Sequence, residues 1–228
     1  MLFFRSIAGC LTVLVAAVLL SRPTHAALVI TEVMSSSAHG SGSNNGDWFE
    51  LTNTGPVAVD ITGWSWDDDS MIPGSAFFGG LTSIAAGQSI IISEEPIGSE
   101  AQWSASWGIT GVTVLTLGGS NFRNFGANGD AIYIFDANDN LVTSVSFGVA
   151  TQGHSFQWDM SGEYLGTAVV GEYGAFRAVS NGEVPPGPGI DVGSPGFALV
   201  PEPSTIALLA LTLGAGVLAG FRRPLRRA

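Results

Sequence analysis

Between residues 28 and 147 the chain alternates apolar with polar positions in short runs, each bounded by Gly, Asn, Asp or Pro. A period of two puts one set of side chains on one face of an extended strand and leaves the other set for solvent. The pattern predicts strands over Leu28–Met34, Trp48–Thr52, Val57–Ile61, Gly63–Trp66, Ser89–Ser93, Val112–Leu117, Ala131–Phe135 and Leu141–Phe147. So many short strands with so little helix imply an all-β sandwich or barrel. One helix is expected at Ser99–Trp107, where Ser99 suits the cap and Glu100 the first turn. The stretch His39–Gly46 reads as a flexible loop, and Asn181–Pro195 as either an irregular last segment or a spacer.

Two longer apolar runs stand outside this alternation. Arg5 precedes the run Ile7–Leu20, which is followed by Thr24-His25-Ala26, with small residues where a signal peptidase reads them. This predicts a secretory signal peptide over residues 1–26, cut between Ala26 and Ala27. Ile7-Ala8-Gly9-Cys10 offers a lipidation box instead, yet most of the apolar run follows Cys10, where such a leader would already have ended. Cleavage after Ala26 removes the only cysteine, so the exported part must rely on its core rather than on disulfides. At the other end, Thr205–Phe221 forms an apolar stretch that, at ~1.5 Å per residue, just crosses a ~30 Å hydrocarbon layer. Arg222, Arg223, Arg226 and Arg227 follow it, and the positive-inside bias would keep them cytoplasmic. The chain thus divides into a leader (1–26), a domain (27–197) and a tail (200–228) with a transmembrane helix over 205–221.

Charge sharpens that division. The 228-residue chain has a net charge of −11 and no lysine. Glu202 is the one acid among 19 that lies outside residues 27–200, so this region sets Arg123 and Arg177 against 18 acids, a net charge of −16. Nucleic acid is excluded as a partner because phosphate affinity needs clustered cations. Anionic polysaccharide is a poor direct partner for the same reason, which leaves extracellular proteins or neutral glycans.

Candidate chemistry is sparse. Asp67-Asp68-Asp69, with Ser70, could supply oxygen ligands to calcium, but a solvated turn is the expected reading. Asp136–Asn140 begins like a calcium loop, but Leu141 stands where the sharp turn needs Gly and Phe147 where a bidentate Glu belongs, so a hairpin turn is expected. Only His39 and His154 remain after the leader, and no metalloprotease, serine-hydrolase or phosphate-loop motif is present. Glu94, Glu95, Glu163 and Glu172 are available as a glycosidase pair, at separations the sequence leaves open. Trp48, Trp103, Trp107, Trp158 and Tyr164 would serve as core or as a sugar-stacking platform, with core expected for most. Trp64 and Trp66 share one strand face, and Trp64 is expected to be the more deeply packed. The expectation is a non-enzymatic module without a cofactor, with calcium as the one candidate ion. An extracellular polysaccharide-acting hydrolase and a calcium-dependent adhesin are the alternatives.

Two resemblances add to this reading. Leu28–Met34, then Trp48-Phe49-Glu50-Leu51-Thr52-Asn53-Thr54-Gly55, then Val59–Trp64, resemble the opening of a lamin-tail domain. Ala86–Ser93, Asn128–Phe135, Val142–Gly148 and Gly193-Ser194-Pro195-Gly196 resemble its later pieces, with Phe-Glu-Leu-x-Asn-x-Gly as the most specific element. The resemblance implies an immunoglobulin-like β-sandwich over residues 27–197, serving as a binding or structural module with no catalytic residues. Val200-Pro201-Glu202-Pro203, the apolar stretch and Arg222-Arg223 resemble the PEP-CTERM sorting signal of Gram-negative bacteria. That resemblance implies an exosortase-type partner in the inner membrane, which would cleave near Pro-Glu-Pro and deliver the protein to the cell surface or its exopolysaccharide matrix.

Overall fold

The computed structural model describes residues 28–39, 46–182 and 189–198. The predicted leader and the tail, including Thr205–Phe221 and Val200–Pro203, lie outside these residues, as does the body of the Gly/Ser/Asn loop, 40–45. No helix among the described residues is long and apolar enough to cross a membrane.

Strands dominate, joined by tight turns, and eight of the predicted runs fall on strands. In chain order they are β1 (Leu28–Met34), β2 (Trp48–Asn53), β3 (Val59–Asp60), β4 (Ser65–Asp67), β5 (Ala76–Phe77), β6 (Ser83–Ile84) and β7 (Ser89–Ser93). The helix α1 (Glu100–Trp107) follows, then β8 (Thr113–Thr116), β9 (Asp130–Phe135) and β10 (Leu141–Phe147). The last four strands, which the alternation did not predict, are β11 (Phe156–Trp158), β12 (Tyr164–Thr167), β13 (Phe176–Arg177) and β14 (Val192–Gly193).

A six-stranded sheet, β12-β11-β1-β2-β7-β8, faces a four-stranded sheet, β10-β9-β4-β5. Neighbours are antiparallel except β7 and β8, which run parallel because α1 carries the chain back between them. Between the sheets, Ile30, Val33, Phe49, Leu51, Ile90 and Ile92 pack against Trp66, Ile132 and Ile134 in one apolar layer. Phe49 and Trp66 meet edge to face at 4.9 Å, a geometry that adds to simple burial of area. Together the two sheets form the expected mostly-β architecture, compatible with an immunoglobulin-like sandwich.

The outer face of the large sheet is covered too. Trp48 on β2 meets Trp103 and Trp107 of α1 edge to face, each at 5.6 Å, and Met34, Ile91 and Ala178 complete this second cluster. Trp103 and Trp107 are four apart on α1, so they share the face that lies on the sheet. As a result β1 and β2 are buried on both faces, which is why their polar residues end up inside.

Several expectations change. Trp66 is fully buried while Trp64 packs at the core's margin, because Trp66 sits in the β4 ladder opposite Ile134 and Trp64 precedes it. Ser99 occupies the cap position of α1 but makes no capping bond; its hydroxyl donates to the Pro96 carbonyl instead. Residues 189–197 are not a spacer: β14 pairs with β13, and Asp191, Val192 and Ser194 are buried. The turn at Asp136–Asn140 is the expected β9–β10 hairpin, with the Asp136 carboxylate accepting the amides of Asn138 and Asn140.

Candidate functional site

A buried polar cluster lies where the C-terminal strap, residues 189–198, crosses the outer face of β1 and β2. The β1–β2 register skips Thr31, a bulge that turns Thr31 and Glu32 toward that face and sets Glu32 directly opposite Glu50. Each of the two carboxylates is only 1% exposed. Glu32 Oε1 accepts hydrogen bonds from the Ser194 amide (2.7 Å) and the Ser155 hydroxyl (2.5 Å), and Ser194 Oγ lies 3.1 Å from Oε2. Glu50 Oε2 accepts from the Gly196 amide (2.5 Å) and Oε1 from the Thr31 hydroxyl (2.6 Å). The strap therefore hands alternate backbone amides to two buried acids.

Only neutral groups bond the pair. Burial pushes Glu32 up to about 8, with the neighbouring Glu50 charge adding to it and the Ser155 and Ser194 bonds opposing it. Burial likewise pushes Glu50 up to about 7 against the bonds from Thr31, Gly196, Thr52 and Ser89. A run of hydroxyls, Thr31 to Thr52 at 2.8 Å and Thr52 to Ser89 at 2.7 Å, leads from Glu50 outward. It ends at a groove of about 450 Å³ that Gln88, Ser89, Val112, Met160, Gly196 and Phe197 help to line. Gly196 is required there: its φ is +81°, and an added Cβ would sit 2.4 Å from Val112 Cγ2.

A third acid anchors the strap's other end. Asp191 accepts from Ser37 Oγ (2.5 Å) and the Ala38 amide (2.8 Å), and pairs with His39 Nδ1 at 3.0 Å. His39 Nε2 contacts the Ser180 carbonyl at 2.7 Å. His39, expected in a flexible loop, is thus a buried staple. Burial pulls the His39 imidazole down, but the hydrogen bond and charge of Asp191 outweigh it and leave it raised. Burial pushes Asp191 up, and the bond and charge of His39 with the Ser37 and Ala38 donors bring it below the ordinary carboxylate range. Nearby Asp47 is pushed up to about 8 by burial and by Glu94.

The other candidates are placed apart. Asp67 is buried and organises the following turn, accepting from the Ser70 hydroxyl (2.5 Å) and the Ile72 amide (2.6 Å), with Arg123 Nε at 3.6 Å. Asp68 accepts from the Ser70 amide, while the Asp69 amide donates to Asp130. Among the described residues no group of three or more His, Cys, Asp or Glu side chains is placed to hold a metal ion. Glu94 is buried, Glu95 half-buried, and Glu163 and Glu172 exposed. His154 bonds the Ala168 carbonyl at 2.8 Å. Of the five aromatic platform candidates, four are buried and Tyr164 alone is exposed, at 51%, so they form no stacking surface.

The motif Phe-Glu-Leu-x-Asn-x-Gly now has a physical explanation. Phe49 and Leu51 enter the core, and Glu50 receives the strap. Asn53 Nδ2 donates to the Val57 and Ile84 carbonyls while its Oδ1 accepts from Gly55. A family model described as Lamin Tail Domain matches residues 21–148, more than half of the chain. The chain belongs to the lamin tail domain family. No curated protein matches it. The matched segment of this lamin tail domain protein ends just after β10, so the strap that seals Glu50 comes from residues beyond the match.

Alternation along Phe49-Glu50-Leu51 places Glu50 on the face away from the core pair, and the turn that meets it there is Ser194-Pro195-Gly196. Glu32 was missed. The available signal was an acid inside a mostly apolar first strand, together with a late Gly193-Ser194-Pro195-Gly196.

Proposed function

We propose that this lamin tail domain is a non-enzymatic structural or protein-interaction module that the cell exports. What carries the reading is the closed state of its buried polar cluster: Glu32 and Glu50 lie under the strap and spend their oxygens on Thr31, Ser155, Ser194 and Gly196. A glycosidase pair needs room for a sugar ring and a water between its carboxyls, whereas the Gly196 backbone and the Thr52 and Ser89 hydroxyls stand between Glu50 and the groove. With no stacking surface among the candidate aromatics, a protein partner is favoured over a neutral glycan.

Export rests on sequence: a leader ending at Ala26-Ala27, and Val200-Pro201-Glu202-Pro203 ahead of an apolar stretch and Arg222-Arg223. In this reading an exosortase-type enzyme processes an inner-membrane precursor of a Gram-negative cell. Mass spectrometry of protein recovered from cells and from medium tests it. Chains that begin at Ala27 and end before residue 205 are expected; residues 205–228 found intact in the membrane fraction alone would refute processing. Incubation with neutral and acidic polysaccharides tests the non-enzymatic part: release of reducing ends that Glu50→Gln abolishes would overturn it.

A further inference from the structure

Two carboxylates stand opposite one another on adjacent strands, shut away from water, in a domain whose permanent cations are two arginines. Both cations are engaged elsewhere: Arg123 reaches the Ser75 carbonyl and Asp67, and Arg177 the Ile190 carbonyl. Two ionised acids at such a site would face mutual repulsion and the loss of water together, so the closed structure has to retain protons there. The surroundings can hold them. Ser194 Oγ already accepts from Gln157 Nε2 (2.6 Å) and lies next to Glu32 Oε2, where a carboxylic proton can be donated to it. On Glu50, a proton at Oε1 can be donated to Thr31, since the Thr31–Thr52 and Thr52–Ser89 bonds work in either direction. The same hydroxyls give that proton a way out to the groove at Ser89.

We propose that Glu32 and Glu50 form a proton-operated latch: protonated, they seat the strap on β1 and β2, and when both ionise the strap lifts from the sheet at Ser194–Gly196. Every element packed against the pair presents neutral groups to it: Ser155 and Gln157 on the β11 side, Ser194 and Gly196 on the strap, Ser89 on β7 and Trp107 on α1. At the strap's other end the titrating groups are Asp191 on the strap, His39 and Asp47 from the segment before β2, and Glu94 and Glu95 after β7. Because the folded pair binds protons more tightly than an unfolded chain does, the latch is firmest at mildly acid pH. It weakens as pH rises through about 7 and 8. The His39–Asp191 anchor loosens in the same direction, once His39 loses its proton. The strap is the last described segment of the chain, so the latch decides how firmly the C-terminal end of the sandwich is held.

Amide hydrogen exchange on the full chain, read by mass spectrometry at pH 6 and pH 9 and corrected for intrinsic exchange, tests this. Protection of peptides covering residues 190–197 should fall at least about tenfold between the two, while β9 and β10 keep theirs. Glu32→Gln/Glu50→Gln should keep residues 194–197 protected at pH 9, leaving only the response of the His39–Asp191 end; Glu50→Gln alone, the milder change, should remove part of the response. Equal strap protection at both pH values in the wild type, or loss of protection in Glu50→Gln as large as in the wild type, would overturn the latch.

Discussion

Asp191→Asn is the most informative single change, because one carboxylate joins the first loop of the sandwich to its last segment. Asp191 takes two hydrogen bonds, from Ser37 and the Ala38 amide, and a pairing with His39, while itself fully buried. Asparagine keeps an acceptor for Ala38 but turns an amide N–H₂ toward Ser37 and His39. Bonds to a buried charge contribute about 1.5–3 kcal/mol each, so losing two of them costs about 3–5 kcal/mol near pH 5.5. That is a large part of the ~5–15 kcal/mol stability of a typical domain. The raised His39 contributes stability that is complete below the unfolded value of 6.5 and disappears as pH rises through its folded value. The lowered Asp191 contributes above 3.8 and loses its effect only in acid. The wild type should therefore exceed the variant most between pH 4 and 6.5, and the gap should narrow toward pH 9. Urea unfolding at pH 5.5, 7 and 9 measures it, with His39→Gln as the milder partner in case Asp191→Asn fails to fold. A difference below about 1 kcal/mol at pH 5.5, or one that widens as pH rises, would refute the staple.

Three further outcomes are expected. Trp48→Ala removes the ring between Trp103 and Trp107 and should cost about 3–5 kcal/mol in chemical denaturation, comparable to other large core truncations. Asp67→Ala should lower the melting temperature by freeing the Ser70–Ile72 turn, whereas adding calcium or chelator to the wild type should leave it unchanged; a rise with calcium would restore the ion-binding reading. Gly196→Ala should destabilise clearly more than Gly171→Ala: both have positive φ, but only the former meets a neighbour, Val112, and equal effects would show that the groove wall yields.

The frame of the sandwich was readable because an alternating pattern is a direct print of a half-buried strand: β1, β7 and β10 have the predicted bounds. The pattern fails where a strand is too short to alternate, as in β5, β6, β13 and β14, which have two residues each. It also misleads where both faces are covered. Period two puts Glu50 on the face opposite Phe49 and Leu51, but the helix and the strap that bury that face come from later in the chain and leave no mark on the local pattern. His39 shows the same limit: beside a Gly/Ser/Asn stretch it reads as loop, and only Asp191, far along the chain, makes it part of the interior.

The strap also bears on when the fold can be completed. Its bonds join residues 146 to 162 positions apart: Glu50 with Gly196, Ala38 with Asp191, and Glu32 with Ser194. Closing such long loops is entropically costly and slow. Glu32 and Glu50 therefore stay without their strap partners until nearly the whole domain has been synthesised. A chain emerging from its N-terminus has the earliest strands of its sandwich in hand and must wait for its last turn before they are sealed.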